Sequence, residues 1–404
     1  MKMTTNQGDM DKKVYYAKAV YGDEEKQAVA DSLNNNFLAS GPLVKKFEEE
    51  VSKRFGKKYG VAVNSGSSAN LLAVASLKLP KGSKVITPGL TFATTVSEIV
   101  HNGLVPVFID GVIGRYVIDE SQIEAAIDSN TSAIMVPQLI GGICDMVKLK
   151  ALADKYNLKL IDDCCDSLAP RLHGVTVASY ADVTTTSFYG SHIITACGVG
   201  GMLMTDSKEI RDIALTLRDW GRVGNDAEGF VERFNFEIDQ IPYDSKFLYS
   251  ELGYNLKLNE ASAAFGLEQL KKLPGFKIQR AINFNTYVER LGKHSDKFYL
   301  PELIEGAETT WLALPITIKE GAGFTRYELL SYLEEKGIQT RVLFSGNITR
   351  HPIYKSVKFE IASDMKNADY IMANGFLLGA HHGMTADDAD YVCDQIESFI
   401  NDHS

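Results

Sequence analysis

Three short stretches carry residue types that could do chemistry. In SFYGSHIITACGVGG (187–201) an apolar run ends at Ser187, and His192 follows ahead of a glycine-rich turn. An imidazole is a base near neutral pH, with an ordinary pKa of ~6.5, although a lone histidine is more often structural or simply exposed. In NSGSSANLLAV (64–74) an apolar run enters Gly66, Ser67 and Ser68, and a helical pattern leaves them. Main-chain N–H groups at a helix start, flanked by hydroxyls, make an anion cradle, and the same pattern also describes a plain N-cap. In LIDDCCDSLAP (160–170) a third run ends in Asp162, Asp163 and Asp166. Buried carboxylates at a strand end are costly unless paired. They could hold a pyridine nitrogen protonated, bind a metal or cap a turn.

The elements that must position these residues alternate between two periods. Strand patterns fall at 59–65, 84–88, 105–110, 132–138, 159–164, 182–188 and 201–205. Helical patterns lie between several of them, in SANLLAVASLK, TTVSEIVHNG, SQIEAAIDS and VKLKALADKYN. This alternation predicts an α/β fold with a mainly parallel sheet covered on both faces. In such sheets ligands bind at the carboxyl ends of the strands, where all three stretches fall. That shared location favours a functional His192.

Further helices are expected at 24–35, capped by Asp23, and from Pro42 to about Phe55, with Pro42 in the first turn. Another is expected at about 206–220, and one at 259–273 ended by Pro274. The chain divides into a flexible N-terminal tail (1–14), a large α/β domain (15–274) and a bridging helix leading to a small C-terminal α+β domain (275–404).

Composition narrows the classes. The 404 residues are 45% hydrophobic and 23% charged, an ordinary globular balance. The net charge of −10 argues against nucleic-acid binding through a broad basic surface. Five cysteines, none in a CxxC pair, disfavour disulfide frameworks and zinc ribbons and fit a reducing cytoplasm. No apolar run reaches the length of a membrane span, and the polar start MKMTTNQGDMDKK has no signal-peptide core.

The order SGSSAN, GLTFATTV, IDDCCDS, SFYGSH…GG and LGYNLKLNEASAAFGLEQL resembles the DegT-type sugar aminotransferase family from about residue 15 to the C-terminus. These are fold-type I enzymes, aspartate aminotransferase-like, that depend on pyridoxal 5′-phosphate (PLP). The resemblance implies that Gly66, Ser67 and Ser187 hold the cofactor phosphate, that Phe92 stacks on its ring, that Asp163 pairs with the ring nitrogen and that Asp166 lies near it. Asn255 would reach the phosphate of a partner subunit, because the family builds its site at a homodimer interface.

The lysine that normally bonds to the cofactor falls on His192. One branch with this replacement is the 3-dehydratases of 3,6-dideoxyhexose biosynthesis. They use pyridoxamine 5′-phosphate (PMP) and a histidine base to remove the C3 hydroxyl of a nucleotide-linked 4-keto-6-deoxy sugar. RDWGR (218–222), YDSKFLYSELGYNLK (243–257) and TRVLFSGNITRHP (340–352) are similar to that branch. Arg218, Arg222, Arg341 and Arg350 are candidate binders of a diphosphate or carboxylate, or else solvated surface residues.

Two features depart from the pattern. The ascarylose-type members carry cysteines for an iron–sulfur cluster just after RDWGR, whereas VGNDAEGFVERFNFEIDQ has none. Such a cluster needs four thiolates together, so no iron–sulfur cluster and no one-electron reductase are expected. PMP would instead be regenerated from glutamate, as in the colitose-type members. The second departure is ACGVGG where the family has GEGG, with Val199 in place of the glutamate. The rival readings are an ordinary sugar-nucleotide aminotransferase and a non-catalytic PLP-fold binding or regulatory protein.

Overall fold

The computed structural model describes residues 12–223 and 229–403. Seven strands of the main sheet follow one another as β1 (Tyr59–Val63), β2 (Lys84–Pro88), β3 (Val105–Ile109), β4 (Thr131–Pro137), β5 (Lys159–Cys164), β6 (Val183–Ser187) and β7 (Gly201–Thr205). The sheet has eight strands in the order β1-β7-β6-β5-β4-β2-β3, closed at the far edge by Glu360–Ile361. Only β7 runs against its neighbours, pairing antiparallel with both β1 and β6. All the strand patterns read from sequence are therefore present in one sheet.

Side-chain alternation along these strands feeds two cores. Leu160, Ile134 and Met202 enter the core on one face, while Ile161, Met135 and Leu203 enter the core on the other. A second, antiparallel sheet orders Phe298–Tyr299, Ala313–Ile318, Gly375–Gly379 and Thr340–Val342. It has its own core, which includes Phe284, Leu314, Phe376 and Ile396.

Several expectations are corrected. The helix at 259–273 does not stop at Pro274, because a single helix runs from Glu260 to Leu291. Proline removes one N–H and crowds the preceding turn, at a cost of ~3 kcal/mol. Burial of Leu270, Leu273 and Phe276 before and after it, then of Phe284, Tyr287 and Leu291, offsets that cost. SQIEAAIDS forms only a short turn at Glu124–Ala126. There Asp119 accepts from the Ser121 N–H and from Gln122, and Asp128 accepts from the Asn130 N–H, so side chains compete with a helical backbone. The first helix, Asp23–Asn34, is capped by Gly22 rather than Asp23, with the Glu25 carboxylate taking the Gly22 N–H at 2.8 Å.

Of the expected tail, residues 1–11 lie outside the described residues. Its last residue, Val14, is buried and hydrogen-bonds through its main chain to Gly337 and Gln339. In the stretch expected to lack a cluster, residues 224–228 also lie outside the described residues.

Candidate active site

The carboxyl ends of β1, β2, β4, β5 and β6 open into one cavity of about 470 Å³. Gly66, Ser67, Phe92, Asp163, Asp166, Ser187 and His192 all line it. This is a normal size for a small-molecule site.

The cradle is built by β1 turning into the helix Gly66–Ser76. Ser65 caps that helix, its hydroxyl accepting from the Ser68 N–H at 3.1 Å. Gly66 is required by close approach: a Cβ there would lie 2.7 Å from the Ser187 Cβ and 2.8 Å from the Cys165 Sγ. The Ser67 hydroxyl bonds Thr94 at 3.1 Å, and the Tyr189 N–H donates to the Ser187 hydroxyl at 3.3 Å. Main-chain N–H groups and hydroxyls thus converge on one end of the cavity, suited to a phosphate.

The adjacent aspartates of β5 point to opposite faces. Asp162 turns away from the cavity and accepts from Gln138 at 2.8 Å and Thr184 at 3.2 Å. Burial pushes its pKa up to about 6. Asp163 turns into the cavity, where Asn70 (2.7 Å) and Thr95 (2.8 Å) donate to Oδ2 and the Cys165 N–H (3.1 Å) donates to Oδ1. Asp166 is raised to about 7, chiefly by burial and further by the Asp163 charge, although the Ile140 N–H donates to it at 3.0 Å.

His192 follows β6 in a turn. Its ring lies edge-on to Tyr189 at 5.9 Å, and its Nδ1 is buried without a hydrogen-bond partner. Desolvation lowers its pKa to about 4, which leaves the imidazole neutral at physiological pH. In the following turn Cys197, Gly198 and Gly200 all have positive φ, and Val199 projects into the cavity. Phe92 is half exposed at the cavity wall, with Phe344 edge-on at 5.5 Å.

The remaining candidates do not line the cavity of this chain. Arg218 is a correction. It is buried within a brace, donating to Asp219 at 2.9 Å, to Glu48 at 3.0 Å and to the Ala62 carbonyl at 3.1 Å. Replacing Arg218 by Met is expected to cost about 3–5 kcal/mol, since it leaves the Glu48 carboxylate without its ion-pair partner and Asp219 with Lys257 alone, at 3.1 Å. Urea unfolding would measure this, and a wild-type midpoint would rule out the bracing role. Arg350 is exposed and ion-paired with Asp369 through Nε at 2.9 Å, so it also points elsewhere. Arg222 lies over Trp220 and Phe247. Arg341 lies 5.5 Å over the ring of Tyr16, which itself lines the cavity. Asn255 is exposed and pairs through its backbone with Asp219.

Sequence reasoning missed Asn70, Thr95 and Tyr16. Asn70 sits four residues after Gly66 and Thr95 three after Phe92, spacings that share a helix face, so both were discoverable. Tyr16 had no local signal.

A cofactor with a phosphate at one end and a basic ring nitrogen at the other fits this donor set. The cradle, the hydrogen-bonded Asp163 carboxylate, the Phe92 face and the unpartnered nitrogen of His192 meet in one cavity.

Residues 20–397 match the sequence profile of the DegT/DnrJ/EryC1/StrS aminotransferase family. The chain is 39% identical, over 94% of its length and 90% of the relative's, to the lipopolysaccharide biosynthesis protein RfbH of Salmonella typhimurium. It is 36% identical, over 95% and 85%, to the dTDP-4-dehydro-2,6-dideoxy-D-glucose 3-dehydratase of Saccharopolyspora spinosa. Among solved structures, the E. coli GDP-4-keto-6-deoxy-D-mannose-3-dehydratase with bound hydrated PLP superposes with a TM-score of 0.87 at 28% identity, covering 95% of this chain and 100% of that one.

Proposed function

Because the chain belongs to the DegT/DnrJ/EryC1/StrS aminotransferase family, we propose that it is a PLP/PMP-dependent enzyme that removes the C3 hydroxyl of a nucleotide-linked 4-keto-6-deoxyhexose. Glutamate would regenerate the PMP form, and no iron–sulfur cluster would take part. Bound in the cavity, the cofactor supplies an amine for the C4 carbonyl and an electron-withdrawing ring.

The chain's own residues divide the work. The N–H groups around Gly66 and Ser67, with the Ser187 hydroxyl, bind the phosphate. Asp163 keeps the ring nitrogen protonated, and Phe92 covers a ring face. His192 accepts the proton whose removal lets the C3 hydroxyl depart.

The observation that carries this reading is the base itself. Among the described residues lining the cavity there is no lysine, and a neutral imidazole with a buried free nitrogen stands there. A histidine supplies a base without a covalent tether, which favours elimination over transfer of an amine to the sugar.

A homodimer is part of the proposal. In the segment that carries Asn255, Phe247, Tyr249 and Leu252 are exposed, Leu252 at 96%. A second copy covering them would carry Asn255 to its partner's phosphate site, with Arg222 and Arg341 near the sugar nucleotide.

The test uses purified protein, PLP, glutamate and CDP-, GDP- and dTDP-4-keto-6-deoxyhexoses, followed by mass spectrometry with no iron added. Loss of one oxygen, with one 2-oxoglutarate and one ammonia formed, is expected. Gain of an amine would establish an aminotransferase instead. A cofactor that glutamate never converts would point to a non-catalytic protein.

A further inference from the structure

The long helix delivers one more side chain to the back of the site. Arg280 is 2% exposed. Its Nη1 donates to the carbonyls of Trp311 (3.2 Å) and Leu312 (3.0 Å), its Nε to His382 Nδ1 at 3.1 Å, and its Nη2 makes a long contact of 3.5 Å to the carbonyl of His192. All these acceptors are neutral, and among the described residues Arg280 has no ion pair. A buried cation without a counter-charge is costly, and here burial depresses the guanidinium pKa to about 10.

The surroundings hold it rigidly. His382 is stacked on Phe276, one helical turn before Arg280, at 3.8 Å and 18°. Asn283 fixes the same loop through the carbonyls of His381 and Met384. Leu312 lines the cavity and donates its N–H to the Ile140 carbonyl at 2.7 Å. Continuity of the helix through Pro274 keeps Arg280 in phase with Phe276 and the body of the large domain.

We propose that Arg280 is a positioning residue for His192: its guanidinium ties the main chain carrying the imidazole to the second sheet and sets a fixed positive charge behind the ring. The charge disfavours the imidazolium form, and the tether restrains the turn in which the ring sits. The other titratable groups sharing the cavity with His192 are Asp163, Asp166, Cys165, Tyr16 and Tyr189. Of these, Asp163 opposes Arg280, favouring the charged ring. The inference rests on reading His192 as the base, but its test needs no turnover.

The protein without added cofactor is treated with diethyl pyrocarbonate from pH 3 to 8, and modification of His192 is quantified by peptide mass spectrometry. In Arg280→Gln the midpoint of His192 reactivity is expected to rise by about one pH unit. Arg280→Lys keeps the charge and loses the fork, so its midpoint stays at the wild-type value while His192 reacts several-fold faster. A folded Arg280→Gln protein, judged by circular dichroism, with an unshifted midpoint would overturn the proposal. Should that variant not fold, Arg280→Lys decides alone: a wild-type rate of modification at His192, or a midpoint moved upward, overturns it.

Discussion

His192→Asn is expected to lower the rate of sugar deoxygenation by about 10²–10⁴-fold, the usual contribution of a positioned general base. Asparagine has similar bulk and can still hydrogen-bond, but it cannot accept a proton at neutral pH. The cradle at Gly66 and Ser67 and the Asp163 carboxylate are separate from the imidazole, so PLP should load to the same level by absorbance. The loss should fall on kcat, with the KM for sugar nucleotide within about twofold, because a base acts in the transition state and adds little to ground-state binding. Single-turnover mass spectrometry separates the two. A variant that keeps a tenth or more of the wild-type rate would remove His192 from the role of base.

The second large effect is expected at Asp163. In Asp163→Asn, Asn70 Nδ2 and Thr95 Oγ1 lose one of two equivalent acceptor oxygens, and the new amide can place its own N–H groups against these donors. A buried donor left unsatisfied costs about 1–3 kcal/mol. In the proposed role the charge that would face a bound ring nitrogen disappears as well, and loss of one such electrostatic partner costs about 10²–10³-fold in rate. We expect a lower urea midpoint, weaker PLP retention on gel filtration and a rate loss in that range. Asp162→Asn is the matched control. It lies on the other face of the same strand, so it should change stability with little effect on PLP retention. If the two substitutions behave alike, Asp163 has no special relation to the cofactor.

Much of the site was legible because it depends on local geometry. A strand running into Gly66–Ser67 at a helix start, a strand ending in acidic residues, and a histidine just past a strand are patterns within a few residues of one chain segment. A parallel sheet necessarily brings such ends together, so their convergence on one cavity follows from the alternation of strands and helices. Which aspartate serves is less obvious. Alternation puts Asp162 and Asp163 on opposite faces, but only the sheet order and its covering helices decide that Asn70 and Thr95 meet Asp163.

Tertiary structure alone decided the rest. Arg218 looked like an anion binder, and burial beside Glu48 and Asp219 makes it a brace, because charges removed from water must be paired. Pro274 looked like a stop, and packing on both sides of it overrode one missing hydrogen bond. Tyr16 and Arg280 reach the site from distant segments with no local pattern to announce them. The sequence by itself determined the strand ends and the residue types they carry; long-range packing decided which buried charges are held, and by what.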